Sequence, residues 1–218
     1  MLDYLFVGAH PDDEFCVSGL LIKAKQERKR TGVIIFTKGE AGGYASPEVR
    51  VAEMQRSASI MGLDYLRILD FVDSNVMFCE ETVSTLIDLF IETKPKVIIT
   101  IHPDDYHPDH KAVSNIVDKA VFVAGLKKDG DHTVWEPNKV MYASLDPRSN
   151  SVRPMVILDI SEVTDLKMKA VRCHKSQNIA KYVELNDRFN GMLGNVEFGE
   201  GFYLRKPLQM NLVSNFIT

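Results

Sequence analysis

Four short, uninterrupted apolar runs constrain this chain most: Tyr4-Leu5-Phe6-Val7, Val33-Ile34-Ile35-Phe36-Thr37, Leu66-Arg67-Ile68-Leu69 and Val97-Ile98-Ile99-Thr100-Ile101. Strands that are apolar throughout, rather than at alternate positions, are buried on both faces. Between them lie segments of helical period. Residues 15–29 place Val17, Leu20, Leu21 and Ala24 on one face, and helices are read at 48–61, at 81–93 (stopped by Lys94-Pro95) and from Asp109 onward. Strand–helix alternation of this kind predicts an α/β fold, a Rossmann-like and mostly parallel sheet flanked by helices. Two further strands (140–144 and 155–160) and one long helix (162–182) follow. Residues 125–138 read as a polar loop, and the tail after Asn186 is rich in glycine. No repeat or composition break divides the chain, so a single domain spanning residues 1–218 is expected.

In open parallel sheets, sites form beyond the carboxyl ends of the strands, where the strand order switches. Both unusual motifs of this chain directly follow strands. Ala9-His10-Pro11-Asp12-Asp13-Glu14 comes after the first, and His107-Pro108-Asp109-His110 comes shortly after the fourth. Acids in a first helical turn suit the helix dipole and need no other explanation, and Asp109 suits an N-cap. The histidines are not explained that way. Two imidazoles and one carboxylate leave a tetrahedral zinc an open position for water, and the motifs hold a carboxylate and a histidine to spare for proton transfer. Asp109 also suits a hydrogen bond that orients a neighbouring histidine. Asp104 and Asp105 read as solvated or loop-capping residues.

Composition narrows the alternatives. The chain is 45% hydrophobic and 26% charged, the balance of a globular protein with a full core. A net charge of −4 gives no attraction to nucleic acid or an anionic membrane surface. Cys16, Cys79 and Cys173 are odd in number and far apart, which fits reduced thiols in the cytoplasm better than a disulfide framework. The acid at Asp3 and the short apolar run behind it do not make a secretory signal. No run of about 20 apolar residues would span a membrane. A dinucleotide-binding reading fails because no G-x-G-x-x-G follows the first strand.

The two motifs resemble those of the LmbE-like, or PIG-L, family of zinc-dependent N-acetylglucosamine deacetylases. Thr37-Lys38-Gly39-Glu40-Ala41-Gly42, Val49-Arg50-Val51-Ala52-Glu53 and the H-K-S-Q run ending at Gln177 extend the likeness over residues 3–180. Glu200-Gly201-Phe202 echoes a late feature of the family. The resemblance implies His10, Asp13 and His110 as zinc ligands and Asp12 as general base. It implies a protonated His107 as oxyanion stabiliser, with Arg50, Asp73 and Glu40 near the substrate. It further implies a small amino-sugar substrate and assembly as a trimer or hexamer. Iron(II) suits the same ligands. Three readings compete: an amidase for a larger sugar–thiol conjugate, a non-haem iron enzyme using the two-histidine, one-carboxylate triad, and a non-catalytic metal- or sugar-binding protein. The spare groups Asp12 and His107 disfavour the last, and the parallel α/β pattern disfavours the iron enzyme.

Overall fold

The computed structural model describes residues 1–42, 45–126, 135–146 and 153–207. The chain runs β1 (Tyr4–Gly8), a 3-10 turn (Asp13–Cys16), α1 (Ser18–Gln26), β2 (Thr31–Thr37), α2 (Pro47–Met61), β3 (Tyr65–Phe71) and α3 (Glu80–Thr93). It continues β4 (Val97–Ile101), α4 (Pro108–Ala124), β5 (Lys139–Ala143), β6 (Val156–Asp159), α5 (Thr164–Val171), α6 (Ala180–Gly194) and β7 (Gly199–Leu204). The seven strands form one sheet in the order β3-β2-β1-β4-β5-β7-β6. Strands β1 to β5 are parallel, and β7 enters antiparallel between β5 and β6.

The apolar strands are continuous because both faces are covered. Leu5 and Val7 point into one core with Phe36, Phe90 and Val117, beneath α3 and α4. Phe6 points the other way, into a core with Leu21, Met54 and Val171 beneath α1, α2 and α5. That alternation is the period of two of a pleated strand. The exposed edge strand β3 carries Arg67 and Asp70 among its apolar residues, which blunts it against pairing with another chain. Among the described residues no helix is long and apolar enough to cross a membrane.

The sequence reading of one helix over 162–182 is corrected. A 3-10 turn at Ser161–Val163 leads into α5, which stops at Val171, and α6 begins only at Ala180. The intervening segment is tied to other elements by its side chains, and Asn178 adopts a left-handed backbone (φ 51°) that ends any continuous helix. The tail forms α6 and β7 as far as Leu204. Of the polar loop read at 125–138, residues 127–134 lie outside the described residues.

Strand order reverses direction between β1 and β4, which pair in parallel. Their carboxyl ends therefore sit side by side, and the loops that leave them carry the two motifs.

Candidate metal centre

His10 and Asp13 leave the end of β1, and His110 lies in the first turn of α4 beyond β4. His10 Nδ1 and His110 Nε2 are 3.3 Å apart. His110 Nε2 is 3.4 Å from Asp13 Oδ1, and His10 Nδ1 is 3.7 Å from Asp13 Oδ2. For metal–ligand bonds of 2.0–2.1 Å, the edge of a tetrahedron is about 3.3–3.4 Å. The two imidazole nitrogens stand at the spacing that a small divalent cation requires, and the Asp13 carboxylate faces them with a different oxygen toward each, Oδ1 toward His110 and Oδ2 toward His10. All three side chains are buried.

The other ring nitrogens are taken by carboxylates, which fixes which nitrogen faces the centre. His10 Nε2 lies 3.0 Å from Asp73 Oδ1 and 3.1 Å from Asp109 Oδ2. His10, Asp73 and Asp109 are close enough to form a metal group of their own. Both carboxylates also accept backbone N–H groups. Ala41 and Gly42 donate to Asp73 Oδ2, and Ser74 and Val76 donate to Asp109. That arrangement suits a Nε2–H donor and leaves the Nδ1 lone pair for a cation. His110 is held likewise, its Nδ1 lying 2.9 Å from Asp105 Oδ1. Asp105 is 1% exposed. The reading of Asp105 as solvated is thus corrected: it orients a candidate ligand and also accepts the His107 N–H. Asp104, its neighbour, is exposed.

Electrostatics point the same way. Burial works against charging His10, yet Asp109, Asp13 and Asp73 together push it up to about 12. Burial likewise opposes protonation of His110, and Asp13 and Asp105 raise it to about 9. So much carboxylate around two imidazoles calls for a cation, which binds in competition with protons. Burial and the Asp13 charge lift Asp12 to about 7, against the pull of Arg50. Burial, with His110 and His10 alongside, lowers His107 below its ordinary value. His107 caps α4: the Asp109 N–H donates to its Nδ1 at 3.2 Å. In the neutral form of His107 that bond leaves the ring proton on Nε2.

Arg50, on α2, is 3% exposed. Its guanidinium donates to Gly39 O (2.9 Å), Gly42 O (3.0 Å), Pro11 O (2.7 Å) and Asp12 Oδ1 (3.0 Å). It lines the pocket while its terminal nitrogens hold the two loops around Asp12. Glu40 is exposed, and its carboxylate accepts the Asp73 N–H at 2.7 Å. Arg50 and Asp73 line the pocket, and Glu40 meets it through the Asp73 amide. The pocket itself, about 370 Å³, exposes His10, Asp12, Asp13, His107 and His110 at its floor. Phe15, Tyr106, Leu145, Gln177, Ile179 and Tyr182 form much of its wall. This is the size of a small-molecule site. Leu145, just beyond β5, and Ile179 of the 172–179 turn carry no local sequence pattern, whereas Gln177 closes the H-K-S-Q run.

The fold and site together define an α/β protein with a buried histidine–carboxylate cluster, able to hold a metal ion, at the switch between β1 and β4. The chain belongs to the PIG-L family, described as GlcNAc-PI de-N-acetylase, whose sequence profile matches residues 5–121, more than half of its length. It is 29% identical over 198 residues to a diacetylchitobiose deacetylase of Thermococcus kodakarensis, covering 79% of this chain and 69% of that one. It is also 29% identical over 199 residues to a probable N-acetyl-alpha-D-glucosaminyl L-malate deacetylase 2 of Bacillus subtilis, covering 84% and 87%. Among solved structures, a conserved protein of Thermus thermophilus superposes with a TM-score of 0.89 at 28% identity, covering 98% and 99% of the two chains.

Proposed function

We propose that this single-domain chain is a zinc-dependent hydrolase that removes the N-acetyl group from a small molecule containing N-acetylglucosamine. The observation that carries this reading is the approach of His10 Nδ1 and His110 Nε2 to 3.3 Å with the Asp13 carboxylate against both, and with Asp12 beside them in the same pocket. Deacetylase names among the relatives support the substrate class.

His10 Nδ1, His110 Nε2 and an Asp13 oxygen would hold the metal. When bound there, zinc supplies Lewis acidity that brings the pKa of water to around 7 and polarises an amide carbonyl. Asp12, raised to about 7, takes the proton of the attacking water and returns it to the departing amine. His107 offers its Nε2–H to the negative charge developing on the amide oxygen. The C–N bond breaks, water supplies the hydroxyl of the acid, and acetate and a free amine result.

The test is amine release, read with a fluorogenic amine reagent. The zinc-loaded protein is given N-acetylglucosamine, its dimer, and its malate and inositol glycosides, with Asp12→Ala as the blank. Release by the wild type alone is expected on at least one substrate. No release from any of them by protein with zinc bound would refute the deacetylase reading.

A further inference from the structure

Two features of the chain have no part in the metal chemistry: a buried polar stripe on α2 and the turn at 172–179. They meet on Glu14, the last residue of the first motif. Glu14 Oε1 accepts from His174 Nε2 at 2.6 Å and from Ser57 Oγ at 2.8 Å. Glu14 Oε2 accepts the backbone N–H of Asp12 at 3.1 Å. Glu14, Ser57 and His174 are each 2% exposed or less. Two residues beyond His174, Ser176 donates its N–H and its hydroxyl to Glu53 at 3.1 and 2.6 Å. The turn is thereby fastened to α2 at Ser57 (through Glu14) and at Glu53, one helical turn apart.

What this clamp acts on is strained. Asp12 has φ 123° and ψ −22°, a conformation that residues other than glycine rarely adopt. Such geometry persists only where its surroundings over-determine it. Arg50 secures the preceding carbonyl, Pro11 O, and the Asp12 side chain. Glu14 secures the Asp12 amide. The strain has a use: it lets two consecutive carboxylates serve one pocket, Asp13 toward the imidazoles and Asp12 toward the open space. The hydrogen bond of His174 goes to Glu14, and Glu14 in turn holds the Asp12 amide, so His174 carries no proton to or from substrate.

We propose that His174 is a positioning residue for the general base, holding the Asp12 backbone in its strained conformation through the Glu14 carboxylate. The inference rests on the reading of Asp12 as that base.

The test uses the full chain, zinc-loaded, as His174→Ala, His174→Gln and Ser57→Ala. Three quantities are measured: kcat and KM for amine release, bound zinc per chain, and hydrogen exchange at the Asp12 amide. In His174→Ala, kcat should fall on the order of 100-fold, the effect of a misplaced catalytic group. KM and bound zinc should match the wild type, and the Asp12 amide should exchange faster. His174→Gln, whose amide N–H can reach Glu14, should recover most of the loss. Ser57→Ala keeps the His174 bond and should fall between, which carries the test if His174→Ala does not fold. Wild-type kcat with a protected Asp12 amide in His174→Ala would overturn the proposal. So would a loss shared equally by His174→Gln and accompanied by loss of zinc. If the wild type releases no amine at all, the deacetylase reading fails separately, and exchange at the Asp12 amide still decides the positioning role.

Discussion

Gly39→Ala should damage the site from a residue that touches neither metal nor substrate. Gly39 has φ +72°, and a Cβ built on it would lie 2.3 Å from Arg50 Nη1, 2.4 Å from Cζ and 2.7 Å from Nε. Carbon and nitrogen rest in contact at about 3.4 Å, so the guanidinium or the loop must move by about 1 Å. Arg50 is not a free side-chain end, since four hydrogen bonds of 2.7–3.0 Å hold it in place. A shift of about 1 Å carries at least one of these beyond hydrogen-bonding range. Left-handed strain on alanine costs about 1 kcal/mol, and a lost bond to a charged group about 2 kcal/mol. The loss of stability should therefore be about 3 kcal/mol, seen as a lower urea midpoint at unchanged m-value. Because Arg50 also holds Asp12 Oδ1, kcat should fall on the order of 100-fold. Gly42→Ala is the comparison. Its Cβ would meet Arg50 Nη1 at 3.4 Å and Asp73 Oδ2 at 4.0 Å, and it should unfold at a midpoint close to that of the wild type. Wild-type kcat and midpoint in Gly39→Ala would refute the view that Arg50 is clamped in place to hold Asp12.

Asp12→Asn should lower kcat by a factor of about 10²–10⁴ while bound zinc stays at wild-type stoichiometry, checked by elemental analysis; loss of zinc would make Asp12 a ligand. Asp105→Asn weakens the carboxylate that orients His110 and should reduce zinc affinity about 10–100-fold in a competition titration with a chromogenic chelator. A third prediction concerns pH. Lys167 is wholly buried between Asp187 and Glu200, 2.8 Å from each. Burial outweighs the Lys167 ammonium and raises Asp187 from 3.8 to about 6. The folded state thus holds this proton to higher pH than the unfolded chain does, and stability from this group falls as pH rises from 3.8 through 6. Asp187→Asn removes that dependence. Denaturation at pH 4 and pH 7 should show the wild type losing roughly 2 kcal/mol relative to the variant; a constant or opposite difference would mean that the Lys167 attraction dominates.

The strands were legible because burial on both faces leaves a simple signature, and β4 occupies the same five residues that the apolar run marks. The histidines and acids of the buried cluster were legible because the two residue types together in strand-terminal loops have few other uses. What a helix hides in its buried face was not legible. Arg50, Glu53 and Ser57 lie on the same buried stripe of α2 as Met54, Ala58 and Met61, so hydropathy alone makes Arg50 a surface charge. The break between α5 and α6 also left no local mark, since residues 164–182 contain neither glycine nor proline. It comes from partners distant in sequence, Glu14 and Glu53. Adjacent Asp104 and Asp105 differ only in direction, one toward solvent and one toward His110. Strand β7 was obscured by Gly199 and Gly201, which leave no room for a Cβ: Ile157 and Pro154 crowd them at 2.7 Å.

An anomalous-difference map at the zinc edge, from crystals of the zinc-loaded protein, would locate the metal among these side chains. One strong peak is expected about 2.0–2.1 Å from His10 Nδ1, His110 Nε2 and an Asp13 oxygen. A peak on the far side of the imidazole, among His10 Nε2, Asp73 and Asp109, would contradict that expectation, as would no peak at all.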